Sequence, residues 1–494
     1  MIDELNEVQT RSLECDVAIV GSGPAGMTIA LRLATTNLSV LVLESGGLAA
    51  DAKVGDFNKG KNIGQKYFPL EQCRRRYFGG SSNCWAGWCA PFSTSDFEHR
   101  PWLPNSDWPI TFQDIAPYYE SAAERLQLKS TKFDAASWTS KSAPLIDLPP
   151  FLESKVFLYS PPTRFGERFR DTLKRSKNVH CLLNATCAKI IAHKNGQEID
   201  SLVVRHSLSG ESYKVQAKAF ILAAGGLENP RLMLNSTDVH SEGLGNKDDN
   251  VGRYFMEHPH LYAEGRFFES PALPARKLYT RRKVRGQYVR GYFRVRDEWR
   301  KKEKVLDLSM CIGRVRKGKL KGKDVPLAQA SVAQDGLKTK RRKPSKLYFT
   351  DIRAEQAPNR NSRITLSDET DKMGLRRIKL NWALSDIDHK SAEISQRLLG
   401  RALGANGMSH LKLYIDSRAR FDKRVKGGCH HMGTTRMSAD AKHGVVDANC
   451  QVHGIENLYV AGSSIFTTSS AANPTLTLVA FAERLAEHLK EKLT

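Results

Sequence analysis

Residues 15–47 read CDVAIVGSGPAGMTIALRLATTNLSVLVLESGG, and this stretch constrains the fold more than any other. Asp16 to Val20 is a short apolar run, suited to a strand buried on both faces of a parallel sheet. Gly21, Gly23 and Gly26 follow at once. Apolar residues from Met27 to Ala34 then keep helical spacing, and Leu38 to Leu43 is a second buried strand that ends on Glu44. A glycine triplet alone would say little. Set between two strands and ahead of a helix, it is the dinucleotide fingerprint. The glycines allow the tight turn, the approach of backbone to a pyrophosphate, and close helix–strand packing. Glu44, eighteen positions after Gly26, is placed to accept from a ribose hydroxyl. A carboxylate there favours FAD or NAD over NADP.

The rest of the chain is too long for one small core: 494 residues imply two intertwined domains or about three domain equivalents. With 40% hydrophobic and 26% charged residues, the composition is that of a globular protein, and no apolar run approaches the ~18 residues of a membrane span. The start, MIDELNEVQTRSLECD, lacks the basic and apolar regions of a secretory signal, so a cytoplasmic protein is expected. Nine cysteines without a paired framework read as free thiols of a reducing compartment. Cys84 and Cys89 have the wrong spacing for a CxxC motif and no Cys/His set completes a zinc site, so no metal is expected. The net charge is +23, much of it within 276–346. That excess reads as a solvated basic surface, or as an attraction for an anionic substrate, carrier or membrane surface. No recognition motif accompanies it, so nucleic acid is not expected as a partner. Oligomeric state is not legible.

Further along, Gly79-Gly80-Ser81-Ser82 is a loop able to press its backbone against a planar ring or a phosphate, with Trp85 and Trp88 beside it. A helix is expected to end near Leu128. Residues 129–163, rich in Ser, Pro and Lys, read as an exposed loop or lid. Strands are expected over 179–193, 201–205, 211–216 and 218–226, then a helix from Asn229. Alternating antiparallel strands follow over 260–267, 289–295, 306–315, 348–354, 362–367 and 375–384, so 259–426 reads as a second domain built on a sheet. Ser385 to Asp388 reads as a capping box. Near the end, His430 and His431 stand in a glycine-rich segment, while Asn473 and Thr475 open a helix. Imidazole with a carboxamide at a helix N-terminus suits proton removal from an alcohol.

Taken together, the fingerprint, YFGGSSNCWAG, VGRYFMEHP, HHMGTTRM, GVVDANCQVHGIENLYVAG and SSAANPTLT resemble the glucose–methanol–choline (GMC) oxidoreductases, closest to the pyranose-oxidase-like, glycoside-oxidising branch. The resemblance implies a discontinuous α/β FAD-binding Rossmann-like domain (1–100, 164–258 and 427–494). It implies a helical or lid insertion (101–163) and an α+β substrate domain with an antiparallel sheet (259–426). It places FAD along Gly21, Gly23 and Gly26, with Glu44 on the ribose. Gly79, Gly80, Ser81 and Ser82 would face the flavin. Cys187 and Ala224 would lie on the adenosine side, and Gly462 and Ser463 near the pyrophosphate or ribitol. Asn473 and Thr475 would sit near the flavin ring, where the backbone at the helix N-terminus would stabilise charge at N1/O2.

By the same resemblance His430, three residues before Gly433-Thr434, is the catalytic base and Asn473 its partner, while His431, its neighbour on an extended segment, turns away. Cys84 stands where some relatives attach the flavin through a histidine. Non-covalent FAD is therefore implied, with a thioether from Cys84 as the alternative. The implied reaction is oxidation of a secondary alcohol on a sugar or glycoside ring to a ketone, with hydride passing to flavin N5. The acceptor is oxygen, a quinone or a redox protein. Oxidation of a non-sugar alcohol by a dehydrogenase feeding a quinone or cytochrome is the first alternative. An NAD(P)H-dependent hydroxylase is the second, although no second dinucleotide fingerprint is present. A basic binding protein that keeps FAD only as structure is the third.

Overall fold

The computed structural model describes residues 1–268, 277–314, 347–405, 407 and 409–494. Of the basic stretch over 276–346, residues 276 and 315–346 lie outside the described residues, as does the end of the strand expected over 306–315.

The fingerprint strands form the middle of an eight-stranded sheet. Ser12–Val20 lies beside Val40–Leu43, parallel and in register from Val17 opposite Val40 to Val20 opposite Leu43. All eight of these residues are buried, which explains why the sequence shows unbroken apolar runs rather than alternation. The Pro24–Leu33 helix makes the crossover between them. Outward on one side come Val179–Leu183 and Ile2–Glu4. On the other come Ser212–Leu222, Ile199–His206 and Ala185–Ala192. The Ser212–Leu222 strand has two different partners along its free edge. Its first half pairs antiparallel with Ile199–His206, and its last residues pair parallel with Leu458–Val460. That second pairing brings the C-terminal segment of the chain next to the fingerprint. Gly21, Glu44, Ala223 and Ala461 therefore leave the sheet at one edge, the carboxyl edge where ligands bind in such folds.

A second eight-stranded sheet is antiparallel throughout. Its order is Lys412–Leu413, His260–Phe268, Leu347–Ala354, Leu308–Arg314, Gln287–Val295, Leu152–Tyr159 and Trp88–Cys89, with Arg282–Val284 paired to Gln287–Val295. A small third sheet joins Arg363–Thr370, Arg376–Asn381 and Gly60–Asn62.

Several local expectations are corrected. The exposed loop expected over 129–163 fails at Leu152–Tyr159, which pairs along its whole length with Gln287–Val295 and buries Leu152 and Val156 to Tyr159. The apolar end of that strand is short, and the Ser/Pro/Lys composition of its flanks hid it. The second sheet therefore draws strands from outside 259–426, while the strand Arg376–Asn381 pairs with Arg363–Thr370 and with Gly60–Asn62 instead. The single strand expected over 179–193 is broken at Asn184, whose φ is 51°. Strands expected over 211–216 and 218–226 run as one, Ser212–Leu222. The helix before Leu128 is α-helical only over Tyr119–Arg125, after short 3-10 turns.

At the Asp386–Ala405 helix the Asp388 carboxylate accepts from Ser385 N (2.6 Å), one half of the expected capping box. The last helix, Pro474–Leu493, starts with Pro in its first turn and packs against Pro24–Leu33. Among the described residues no helix is long and apolar enough to cross a membrane.

Candidate active site

A cavity of about 540 Å3 runs along the carboxyl edge of the first sheet and reaches Trp88, His260 and Arg353 of the second. Its wall includes Gly21, Gly23, Glu44, Gly80, Ser81, Ser82, Cys84, Cys187, Ala224, His430, His431, Gly462, Ser463, Asn473 and Thr475. Segments more than 400 residues apart in sequence thus meet at one place. Gly26 and Gly79 do not line it. A Cβ at Gly26 would lie 2.0 Å from Gly21 O, so Gly26 lets the helix pack on the turn.

One end of the cavity suits a dinucleotide. Gly23 has an ordinary φ of −67°, yet a Cβ there would meet nothing within 4 Å. Its missing side chain leaves open space at the N-terminus of the Pro24–Leu33 helix, where a pyrophosphate can approach the backbone. Glu44 is oriented from within. Its Oε2 accepts from Ser22 N (3.2 Å) and Ser22 Oγ (2.5 Å), and its Oε1 from Gly46 N (2.9 Å). A carboxylate has about four lone-pair sites, so acceptor capacity remains for ribose hydroxyls. The open cradle and the oriented carboxylate fit FAD. Cys187 is a buried thiol in the wall, its pKa pushed up to about 12 by burial. Cys84 faces the cavity, and desolvation raises its pKa against the pull of Arg75 and Arg164.

At the other end four of the chain's fourteen histidines gather. The backbone explains how. Met256 and Met432 exchange both hydrogen bonds of an antiparallel bridge (2.9 and 3.0 Å), which sets His258 opposite His430 on one face. Their Nδ1 atoms lie 2.9 Å apart. His258 Nε2 lies 3.1 Å from Ser469 O. A carbonyl only accepts, so His258 carries its proton on Nε2 and offers a lone pair at Nδ1. His430 must then donate from Nδ1, which leaves its Nε2 lone pair free. Burial, with His258, His260 and Arg353 nearby, holds the His430 pKa well below 6.5. Burial likewise lowers His258 to about 4. Both rings are neutral at pH 7.

His431 points to the other face. Its Nε2 is 3.0 Å from Tyr67 Oη, and the neighbouring Cys73 raises its pKa although burial opposes this. Two adjacent imidazoles therefore have opposite acid–base character. Glu257, fully buried, holds the backbone of 428–430 against that of His258. It accepts from Gly428 N (2.8 Å), His430 N (2.9 Å) and His258 N (3.0 Å), and from Tyr67 Oη. The 428–437 segment is also tied to the next one, with Thr435 N on Ser464 O (2.9 Å) and Met437 N on Ile465 O (2.8 Å). Asn473 Oδ1 and His260 Nε2 are among the buried polar atoms that have no partner among the described residues. Both residues line the cavity with His430. Buried groups of this kind are costly unless something polar meets them.

Sequence reasoning found His430 and Asn473 but gave no role to Glu257, His258 or His260. The Glu-His-Pro-His run was the available signal: two histidines at i and i+2 share a face of an extended segment.

Comparison with known proteins supports the family resemblance and the fold. Residues 166–260 and 358–482 match the two family models described as GMC oxidoreductase, and residues 19–68 match an NAD(P)-binding Rossmann-like domain. The chain is 22% identical to the fructose dehydrogenase large subunit of Gluconobacter japonicus, over 98% of this chain and 99% of that one. It is 24% identical to paromamine 6'-oxidase of Streptomyces fradiae, over 96% and 90%. A formate oxidase from Aspergillus oryzae shares the fold, with a TM-score of 0.58, 17% identity and coverage of 98% and 99%.

Proposed function

The chain belongs to the GMC oxidoreductases, FAD-dependent enzymes acting on CH–OH groups, and we propose that it oxidises a secondary ring hydroxyl of a sugar or glycoside to a ketone, with His430 as the base. One observation carries this reading. His430 lines the cavity as a neutral imidazole whose only ring hydrogen bond among the described residues is at Nδ1, beside the unpartnered Asn473 Oδ1 and His260 Nε2. The sugar-active relatives favour a polyhydroxyl substrate. Such a substrate would also supply donors for the two unpartnered atoms.

Bound at the fingerprint end, FAD supplies the hydride acceptor. His430 Nε2 takes the hydroxyl proton, and the imidazolium so formed keeps donating from Nδ1 to His258 Nδ1. His258 stays in the right tautomer because Ser469 O holds its Nε2–H. Asn473 orients the substrate oxygen through its carboxamide. Glu257 keeps the 428–430 backbone fixed, so the base does not drift by the ångström that costs rate. Cys84 keeps its proton and forms no bond to the cofactor, so denaturation releases free FAD. Flavin that stays on the denatured chain would refute that part.

The test is anaerobic mixing of the yellow protein with a panel of sugars and glycosides while the flavin band is followed. Bleaching by at least one member is expected. A panel in which only simple non-sugar alcohols bleach the flavin would sink the substrate class.

A further inference from the structure

Trp88, in the wall of the catalytic cavity, also walls a second recess of about 250 Å3 lined by Tyr159, Thr280, Arg281, Arg290 and Ile312. Three guanidiniums stand over its aromatic rings. Arg353 lies 4.5 Å and Arg290 5.2 Å from the Trp88 ring centre. Arg281 lies between two tyrosines, 4.7 Å from Tyr159 and 4.8 Å from Tyr288. Arg290 and Arg353 share the Asp351 carboxylate: its Oδ2 is 3.6 Å from Arg290 Nη1 and its Oδ1 accepts from Arg353. Arg290 also donates to Ile312 O (2.9 Å). Arg281 has no hydrogen-bond or ion-pair partner among the described residues.

Three cations against one carboxylate, paired with two of them, leave a local excess of two positive charges at the edge of the catalytic cavity. Rings that hold a guanidinium by its face leave its in-plane N–H donors free, and those donors match the oxygens of a phosphate or carboxylate. Clustered like charges repel unless a counter-charge arrives. We infer that this recess receives an anionic group of the substrate, so that the alcohol oxidised at His430 carries a phosphoryl or carboxylate group. This rests on the proposed function and narrows its substrate class. Trp88 is on the wall of both compartments, and Arg353 of the catalytic cavity and Arg290 of the recess both stand over its ring.

Two measurements on the FAD-loaded full chain test it, in wild type, Arg281→Ala and Arg281→Ala/Arg290→Met. The exposed single variant guards against misfolding of the double one, and FAD content checks both. The first measurement is calorimetric titration with inorganic pyrophosphate. Saturable binding is expected, weakened in the variants by about 10- to 100-fold, the loss typical of charge-assisted hydrogen bonds. The second is anaerobic flavin bleaching by glucose, glucose 6-phosphate and glucuronate. At least one anionic sugar should outperform glucose by about tenfold or more in wild type, and the better of the two names the group. No saturable pyrophosphate binding, binding indifferent to the substitutions, or glucose equal to both anionic sugars would each overturn the inference. Bleaching by glucose alone would leave the proposed function standing without the anion recess. A pyrophosphate site on a flavoprotein that no sugar reduces would keep the recess and remove the sugar reading.

Discussion

Replacing His258 separates a tautomer-setting role from mere packing. His258 Nδ1 is 2.9 Å from His430 Nδ1, and its own Nε2 is fixed 3.1 Å from Ser469 O. His258→Leu fills the space but removes the acceptor. The His430 imidazolium formed on proton transfer then loses a charge-assisted hydrogen bond worth about 1.5–3 kcal/mol, or about 10- to 150-fold in rate. A wrong tautomer adds to that loss, since a base protonated at Nε2 cannot accept. His258→Asn keeps an acceptor, because Asn Oδ1 falls close to the position of the imidazole Nδ1. The assay is stopped-flow anaerobic reduction of the flavin at saturating sugar, with FAD content measured beforehand. His258→Leu should slow bleaching by that factor with little change in half-saturating concentration, and His258→Asn should recover most of it. Wild-type bleaching by His258→Leu would refute the reasoning. So would an Asn variant as slow as the Leu variant.

Two further outcomes follow from the same structure. Gly23→Ala has an unstrained φ and open space for its methyl group. The protein should fold with an unchanged melting temperature measured without cofactor but lose FAD affinity, seen as a fallen ratio of flavin to protein absorbance, and full FAD occupancy would argue against the cradle. His258 titrates near 4 when folded and 6.5 when unfolded. The unfolded chain therefore binds the extra proton between those values, and stability is lost as pH falls from about 6.5 to 4, at up to about 1.4 kcal/mol per pH unit for this group. Denaturant melts of His258→Asn against wild type should show a shallower acid loss by that slope, and parallel curves would contradict a buried neutral His258.

What could be read in the sequence was what depends on near neighbours. The fingerprint is legible because strand, turn and helix requirements fall within thirty or so residues, and Gly21, Gly23 and Glu44 stand on the cavity wall. Asn473 is legible because it immediately precedes a proline-started helix. His258 was not, because its meaning depends on a bridge between Met256 and Met432 and on a partner 172 residues away. The Leu152–Tyr159 strand was missed for a similar reason. Its partner, Gln287–Val295, lies more than a hundred residues on, and long-range pairing overrides the loop-like composition around it. The recess at Trp88 needed five segments to converge, and no local pattern announces that.

The most direct measurement is the anaerobic rate at which a sugar or glycoside that bleaches the wild-type flavin does so in His430→Ala. The variant should keep its FAD and bleach about 10²- to 10⁴-fold more slowly, the usual contribution of a positioned base. Bleaching at the wild-type rate by a fully loaded variant would remove His430 from the role assigned to it.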